Sequence, residues 1–344
     1  MENTTQLTLF EVAHLNSSVV TAFHDEDIFQ QTLWKRLKIF SLVIRSLVFL
    51  LGLIGNGLVI FIAGFRMKKT VNTIWFLNLA IADFTFILLL PLSIAYLARD
   101  FHWPFGEAMC KFSYTVLFVN LYTSVYLLMV ISIDRCISVL RPVWAQNHRN
   151  PRWASFVAFG VWVLALVLSS PNILIKQLKR NGDVIHCHTS YSPDAYRAMS
   201  ITLFIFAFVI PFLVIVICYG AIVLRLRRDR LAQSSKPFRV ITAVIVAFFV
   251  CWFPFHVFSF LEIRGHEDPR LHLVLVIGSP LMLSLTFFNS CLNPILYVFM
   301  VHDFKESLKR SILTVFENAF AEEERQSMMQ TKPEAAVELD SLNL

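Results

Sequence analysis

Long apolar runs separated by short polar connections dominate the chain. A bilayer core takes roughly 17 to 25 apolar helical residues, and seven runs reach that length: Ile39 to Phe65, Asn72 to Leu97, Met109 to Val139, Trp153 to Ser169, Met199 to Leu224, Phe238 to Leu261 and Leu271 to Phe299. The pattern predicts an all-α fold, a seven-transmembrane helix bundle over residues 39–300. Beyond it Phe304, Leu308, Ile312 and Phe316 recur every fourth residue, the stripe of one helix face. Residues 301–316 are therefore expected as a short amphipathic helix on the membrane surface. Residues 1–38 form an N-terminal segment. Residues 317–344, acidic and polar, are expected to be a disordered tail.

Composition narrows the class further. Of 344 residues, 56% are hydrophobic and 16% charged, which excludes a soluble enzyme. The net charge of +6 matters through its placement. Alternate connections carry Arg66, Lys68 and Lys69, then Arg141, Arg149 and Arg152, then Arg225, Arg227, Arg228, Arg230, Lys236 and Arg239, and after the last run Lys305, Lys309 and Arg310. Only Asp229, Asp303 and Glu306 oppose them, whereas the other side is nearly balanced. The positive-inside rule makes this basic face cytoplasmic. An odd number of spans then puts the N-terminus outside and the tail inside. The sequons at Asn3 and Asn16 both lie in the N-terminal segment, as glycosylation sites should. No cleavable signal peptide is expected, and nucleic acid is not an expected partner. Cys110 and Cys187 are the only cysteines on the outer side, where oxidising conditions predict a disulfide.

Ionisable residues inside a membrane are costly and mark functional positions. Asp83 lies midway along the second run, with Asn56, Asn120, Ser124, Asn289 and Asn293 at similar depth. Such a cluster either holds a small cation or a proton, or is a polar plug joining helices. Asp134 and Arg135 end the third run. Either the acid holds the arginine neutralised or both snorkel at the interface. Arg45 stands eleven residues before Asn56, about 16 Å nearer the outside, and either snorkels or lines a cavity. Pro91, Pro171, Pro211, Pro254, Pro280 and Pro294 interrupt helices, which provides joints that bend or merely irregular packing.

Six motifs stand in order along the chain: GNGLVI at Gly55 to Ile60, LNLAIAD at Leu77 to Asp83, WPFG before Cys110, DRC at Asp134 to Cys136, CWFP at Cys251 to Pro254 and NPILY at Asn293 to Tyr297. Together they resemble the rhodopsin-like (class A) family of G-protein-coupled receptors over residues 40–316. MKKTVNTIWFLNLAIADF, DRCISVLRPVWAQNHR, SSKPF and FFNSCLNPILYVFM resemble the chemoattractant subgroup of formyl peptide, chemerin and chemoattractant-type prostaglandin D receptors. Spans one to four and RDRLAQSSKPFR resemble the chemerin-receptor-like members most, while FHVFSFLE and SILTVFENAF are also similar to the prostaglandin type.

The resemblance implies a sodium ion at Asp83, Ser124 and Asn289, with Asn120 and Asn293 beside it, and no other cofactor. It implies a G-protein switch of Asp134, Arg135, Tyr219 and Tyr297, and a toggle at Trp252. The ligand pocket is expected to be lined by Arg45, Tyr96, Tyr114, Phe118, Arg197, Leu203, Trp252, Phe255, His256, Glu262, Leu283 and Thr286. Leu203 replaces the subgroup's usual cation eight residues before Pro211, and Phe118 replaces the acid used by formyl peptide receptors. An anionic ligand end is therefore expected near the mouth, at Arg197, with Arg45 and Lys176 as further candidates. Expected partners are an extracellular peptide or lipid chemoattractant, an inhibitory-class heterotrimeric G protein, and arrestin through the phosphorylated tail. A non-signalling decoy is the alternative, a transporter or channel a remote one. Span seven lacks the lysine of an opsin, and Leu117 stands where an amine receptor needs an acid.

Overall fold

A computed structural model describes residues 5–190, 192–228, 236–265, 271–300 and 306, and their side chains except at 5–31, 189, 193, 236–241, 244, 265, 272, 276 and 296–300. Asn3, the stripe residues Phe304, Leu308, Ile312 and Phe316, and the tail lie outside the described residues, as do the side chains of Asn16 and Tyr297.

Seven helical spans are long and apolar enough to cross a membrane. α1 (Thr5–Phe61) ends in a π-helical turn, Ile62–Arg66. α2 (Val71–Ala98) and α3 (Gly106–Leu140) follow, then the short α4 (Pro142–His148). α5 (Pro151–Ser169) continues into α6 (Pro171–Ile175), and a β-hairpin of β1 (Lys176–Asn181) and β2 (Val184–Thr189) comes next. α7 (Pro193–Phe204), a π segment (Ile205–Val209) and α8 (Ile210–Arg228) make one span. α9 (Lys236–Gly265) and α10 (His272–Met300) complete the bundle.

Local chemistry starts several of these helices. Thr70 Oγ1 accepts the Thr73 N–H at α2, and Asn150 Oδ1 accepts the Trp153 N–H at α5, whose Pro151 occupies the first turn. Helices overrun the apolar runs at several ends, because polar residues in terminal turns are solvated and hydropathy does not register them. The hairpin and α4 were not among the elements expected from the sequence. Their segments are polar and short, and they carry no membrane-length signal.

α3 is the axis of the bundle, far more buried than the other spans. Around it α2, α5, α8 and α9 close the main core, from Trp75, Leu79, Leu121 and Val125 to Phe248 and Trp252. A second core joins α1, α2 and α10 through Val48, Phe86, Ile87, Leu90 and Phe287. α1 approaches closely at two glycines: a Cβ on Gly52 would come 2.6 Å from Ile87 Cδ1, and one on Gly55 would come 2.9 Å from Pro294 Cβ.

Candidate functional site

The hairpin roofs one end of the bundle. Cys187 of β2 is bonded to Cys110 of α3, with the two Cα atoms 5.8 Å apart, as the sequence predicted. Alternation along the strands sends Leu178 and Cys187 inward, where they pack with Cys110 and Trp103. Trp103 donates its backbone N–H to Ile185 O at 2.7 Å and its indole N–H to Gly106 O at 2.8 Å. Lys179 pairs with His186 on the opposite face, and His188 shares that face. Burial, then Lys179, Lys176 and His186, lower the His188 pKa from its ordinary value. The roof is cationic.

Below it lies a cavity of about 150 Å³ lined by Arg45, Phe86, Leu90, Ser93, Tyr96, Tyr114, Leu117, Leu283 and Phe287, among others. A second chamber of about 390 Å³ adjoins it, between α1, α2 and α10, and includes Trp34, Lys38, Ser41, Arg45, Phe101 and Leu283. Arg45 is 6% exposed; its Nη1 donates to Ser93 Oγ at 2.8 Å, and its guanidinium carbon lies 5.0 Å from the Phe287 ring centre. Lys176 sits over the Tyr114 ring at 3.5 Å. Of the two readings of Arg45, the structure favours the cavity.

The expected pocket lining divides in two. Arg45, Tyr96, Tyr114 and Leu283 share the cavity wall. Leu203, Phe118, Trp252 and Phe255 instead belong to the main core, and buried His256 touches it. There Phe204 stacks on Phe208 at 5.5 Å, Phe208 meets Phe249 edge-on at 5.1 Å, and His256 contacts Phe204, Phe208 and Phe255. Trp252 stacks on Phe248 at 6.1 Å and meets Phe255 edge-on. The floor is a packed aromatic layer. Thr286 is buried, its hydroxyl donating to Leu283 O at 2.8 Å. Arg197 is exposed on α7 and lines neither chamber, and Glu262 accepts the Tyr196 hydroxyl at 2.6 Å. Phe86, Ser93, Phe101, Trp103 and Phe287 were missed. Ser93 left a trace as a polar residue inside an apolar run, and Trp103 stands in the WPFG motif.

Deeper in the bundle, both oxygens of fully buried Asp83 are taken. Asn120 Nδ2 donates to Oδ1 at 2.9 Å and Asn293 Nδ2 to Oδ2 at 2.8 Å. Asn56 donates to Ser290 O at 2.8 Å, which ties α1 to α10. Ser124 Oγ is buried without a hydrogen-bond partner, and Asn289 is buried too. A carboxylate, an unpaired hydroxyl and amide oxygens are hard donors that fit a small cation.

At the other end neither reading of the Asp134–Arg135 pair describes what the structure shows, which is a different partner for each residue. Asp134 is held by Arg149, with Nε to Oδ1 at 2.8 Å and Nη2 to Oδ2 at 2.9 Å. Arg135 turns instead to Asn72 Oδ1 at 2.7 Å, and that same oxygen accepts from Arg149 Nη2 at 2.6 Å. A bidentate guanidinium–carboxylate pair is stronger than any contact available between adjacent side chains on one helix. Asn72 and Arg149 were not foreseen, because their proximity depends on how α2 and the segment after α4 dock on α3. Tyr219 of α8 packs half-buried against the main core.

A seven-span bundle with a disulfide-pinned roof, a cavity beneath it and a clasped arginine at the opposite end defines a receptor, not an enzyme. The pattern of the rhodopsin-family seven-transmembrane receptors matches residues 55–297, and the chain belongs to that family of multi-pass plasma-membrane proteins. It is 46% identical over 305 residues to chemerin-like receptor 1 of Sus scrofa, covering 83% of each chain. It is 45% identical to the C3a anaphylatoxin chemotactic receptor of Danio rerio, over 86% of this chain and 81% of that one. N-formyl peptide receptor 3 of Macaca mulatta is 42% identical over 83% of this chain and 86% of its own.

Proposed function

We propose that the protein is a chemoattractant receptor of the chemerin-receptor type, which takes its ligand from outside the cell beneath the hairpin roof and promotes nucleotide exchange on an inhibitory-class G protein at the basic end. The N-terminus is then extracellular and the tail cytoplasmic, in agreement with the charge distribution, and the phosphorylated tail recruits arrestin. Identity of 46% to chemerin-like receptor 1 over most of both chains is the observation that carries this reading.

The mechanism is a population shift. A ligand acts only if it binds the signalling conformation more tightly than the resting one. In the resting arrangement Asn72 and Arg149 hold Arg135 and Asp134 closed. Opening that clasp frees Arg135 for the G protein. A sodium ion held by Asp83 and Ser124, with Asn120, Asn289 and Asn293 around them, would supply charge neutralisation to the closed bundle.

The deciding experiment measures nucleotide exchange on inhibitory-class and other G proteins in membranes bearing the full chain, with chemerin C-terminal peptide, formyl peptides and prostaglandin D as probes. Exchange on the inhibitory class with the chemerin peptide, abolished by Arg135→Ala with affinity retained within a few fold, is expected. Ligand binding without exchange on any G protein identifies a decoy receptor.

A further inference from the structure

Arg45 is buried in a membrane span, and among the described residues no carboxylate lies within ion-pair distance of it. Its Nη1 is satisfied by Ser93, but its Nε is buried with no hydrogen-bond partner. One turn away the Ser41 hydroxyl is also buried and unpartnered. Both residues line the outer chamber, and Arg45 lines the inner one as well. A buried charge without a counter-ion is among the costliest features a fold can hold. Snorkelling to the interface would relieve it, yet the side chain turns inward, between the two chambers.

The walls define what fits there. Phe86, Leu90, Leu117, Leu283 and Phe287 make the inner chamber apolar around a single cation. Lys38, in the outer chamber, already serves Asp100. One uncompensated positive charge matches one negative charge, and a guanidinium edge matches a carboxylate in shape. A phosphate would bring more charge than the site balances. Phe101, which borders both chambers, is held at φ 61°, a left-handed backbone uncommon for a bulky residue. It packs against Tyr96 at 5.3 Å and Trp34 at 5.7 Å. Strain of this kind collects at ligand sites.

We infer that Arg45 is the counter-ion for a ligand carboxylate, with Ser93 and Ser41 as flanking donors and the ligand's apolar arm against Phe86, Leu117 and Phe287. This inference rests on the receptor reading above and names the chemistry of the ligand's buried end. The carboxylate belongs either to the C-terminus of a peptide or to an aliphatic acid.

The test uses the full chain in lipid nanodiscs and reads ligand-induced thermal stabilisation. The probes are a chemerin C-terminal peptide as free acid and as C-terminal amide, and dodecanoic acid and its methyl ester. Wild type should prefer at least one acid over its neutral partner by tenfold or more in half-saturating concentration. Preference within the peptide pair identifies a peptide terminus, and within the other pair a lipid acid. Arg45→Gln should erase the preference while neutral probes bind as before, and Ser93→Ala should weaken it several-fold. Without ligand, Arg45→Met should melt at or above the wild-type temperature, because an uncompensated buried charge has been removed. No acid preference in wild type, a preference surviving Arg45→Gln, or a marked loss of ligand-free stability in Arg45→Met overturns the inference. Acid preference without nucleotide exchange leaves it standing and removes the signalling reading; exchange without acid preference does the reverse.

Discussion

Proline 211 has no N–H, and the consequence is visible at Tyr126. In the π segment Ile205–Val209 the Ile210 N–H bonds to Ile205 O, so Phe206 O would look to residue 211 for its donor. Tyr126 Oη supplies the bond instead, donating to Phe206 O at 3.1 Å. Tyr126→Phe should therefore lower stability by about 1 kcal/mol, the net worth of one hydrogen bond, and a thermal melt in detergent measures it. Asn72 is the second residue whose role exceeds its size, since one amide oxygen accepts from Arg135 and Arg149 together. Asn72→Ala removes the acceptor from both and should raise ligand-independent nucleotide exchange several-fold. Basal exchange at or below the wild-type rate would show that the clasp does not restrain Arg135.

Between elements, α1 approaches its neighbours closely at two glycines. The Gly52 contact falls on the mobile end of Ile87, which yields, whereas the Gly55 contact falls on the rigid ring of Pro294. Gly55→Ala should thus destabilise by about 1–3 kcal/mol, the range for overpacking a close-packed contact. Gly52→Ala should be rescued by Ile87→Val. Melting temperatures of the singles and the double variant check both. The aromatic layer between α7, the π segment and α9 works in the same way: Phe204 meets His256 and Phe260 edge to face, and Phe208 meets Phe249 and His256, so a shift of α9 must repack several rings together. Such interfaces switch between discrete arrangements and do not deform continuously.

Across the whole molecule the distribution of polarity is that of a membrane protein. Phe65, Leu174 and Phe159 face outward at 79, 77 and 69% exposure, while Asp83, Asn56 and Ser124 are buried at the centre. The hydrogen bonds of the inner polar residues link α1 to α10 and α2 to α3 and α10. If sodium binds at Asp83, it favours the resting bundle and opposes agonist. Agonist affinity of wild type should then fall as sodium replaces a large cation at constant ionic strength, and Asp83→Asn should abolish that dependence. A sodium effect that persists in the variant would place the ion elsewhere.

The seven spans, the Cys110–Cys187 bond and the family itself were legible in the sequence, since each rests on local composition or on compartment. A bilayer demands apolar length, and an oxidising side pairs the cysteines exposed to it. Asp83, Asn120 and Asn293 were also legible as a cluster, because depth along a span can be counted at 1.5 Å per residue. Which side chains share a wall was not. The azimuth of each helix and its docking set that, so Phe118, Leu203 and Trp252 went to the packed layer while Phe86, Ser93 and Phe287 came to Arg45. Likewise only the tertiary structure could give Asp134 to Arg149, fifteen residues on, and withhold it from its neighbour Arg135. Sequence adjacency on a helix sets side chains about 100° apart, and a bidentate partner brought in by folding wins.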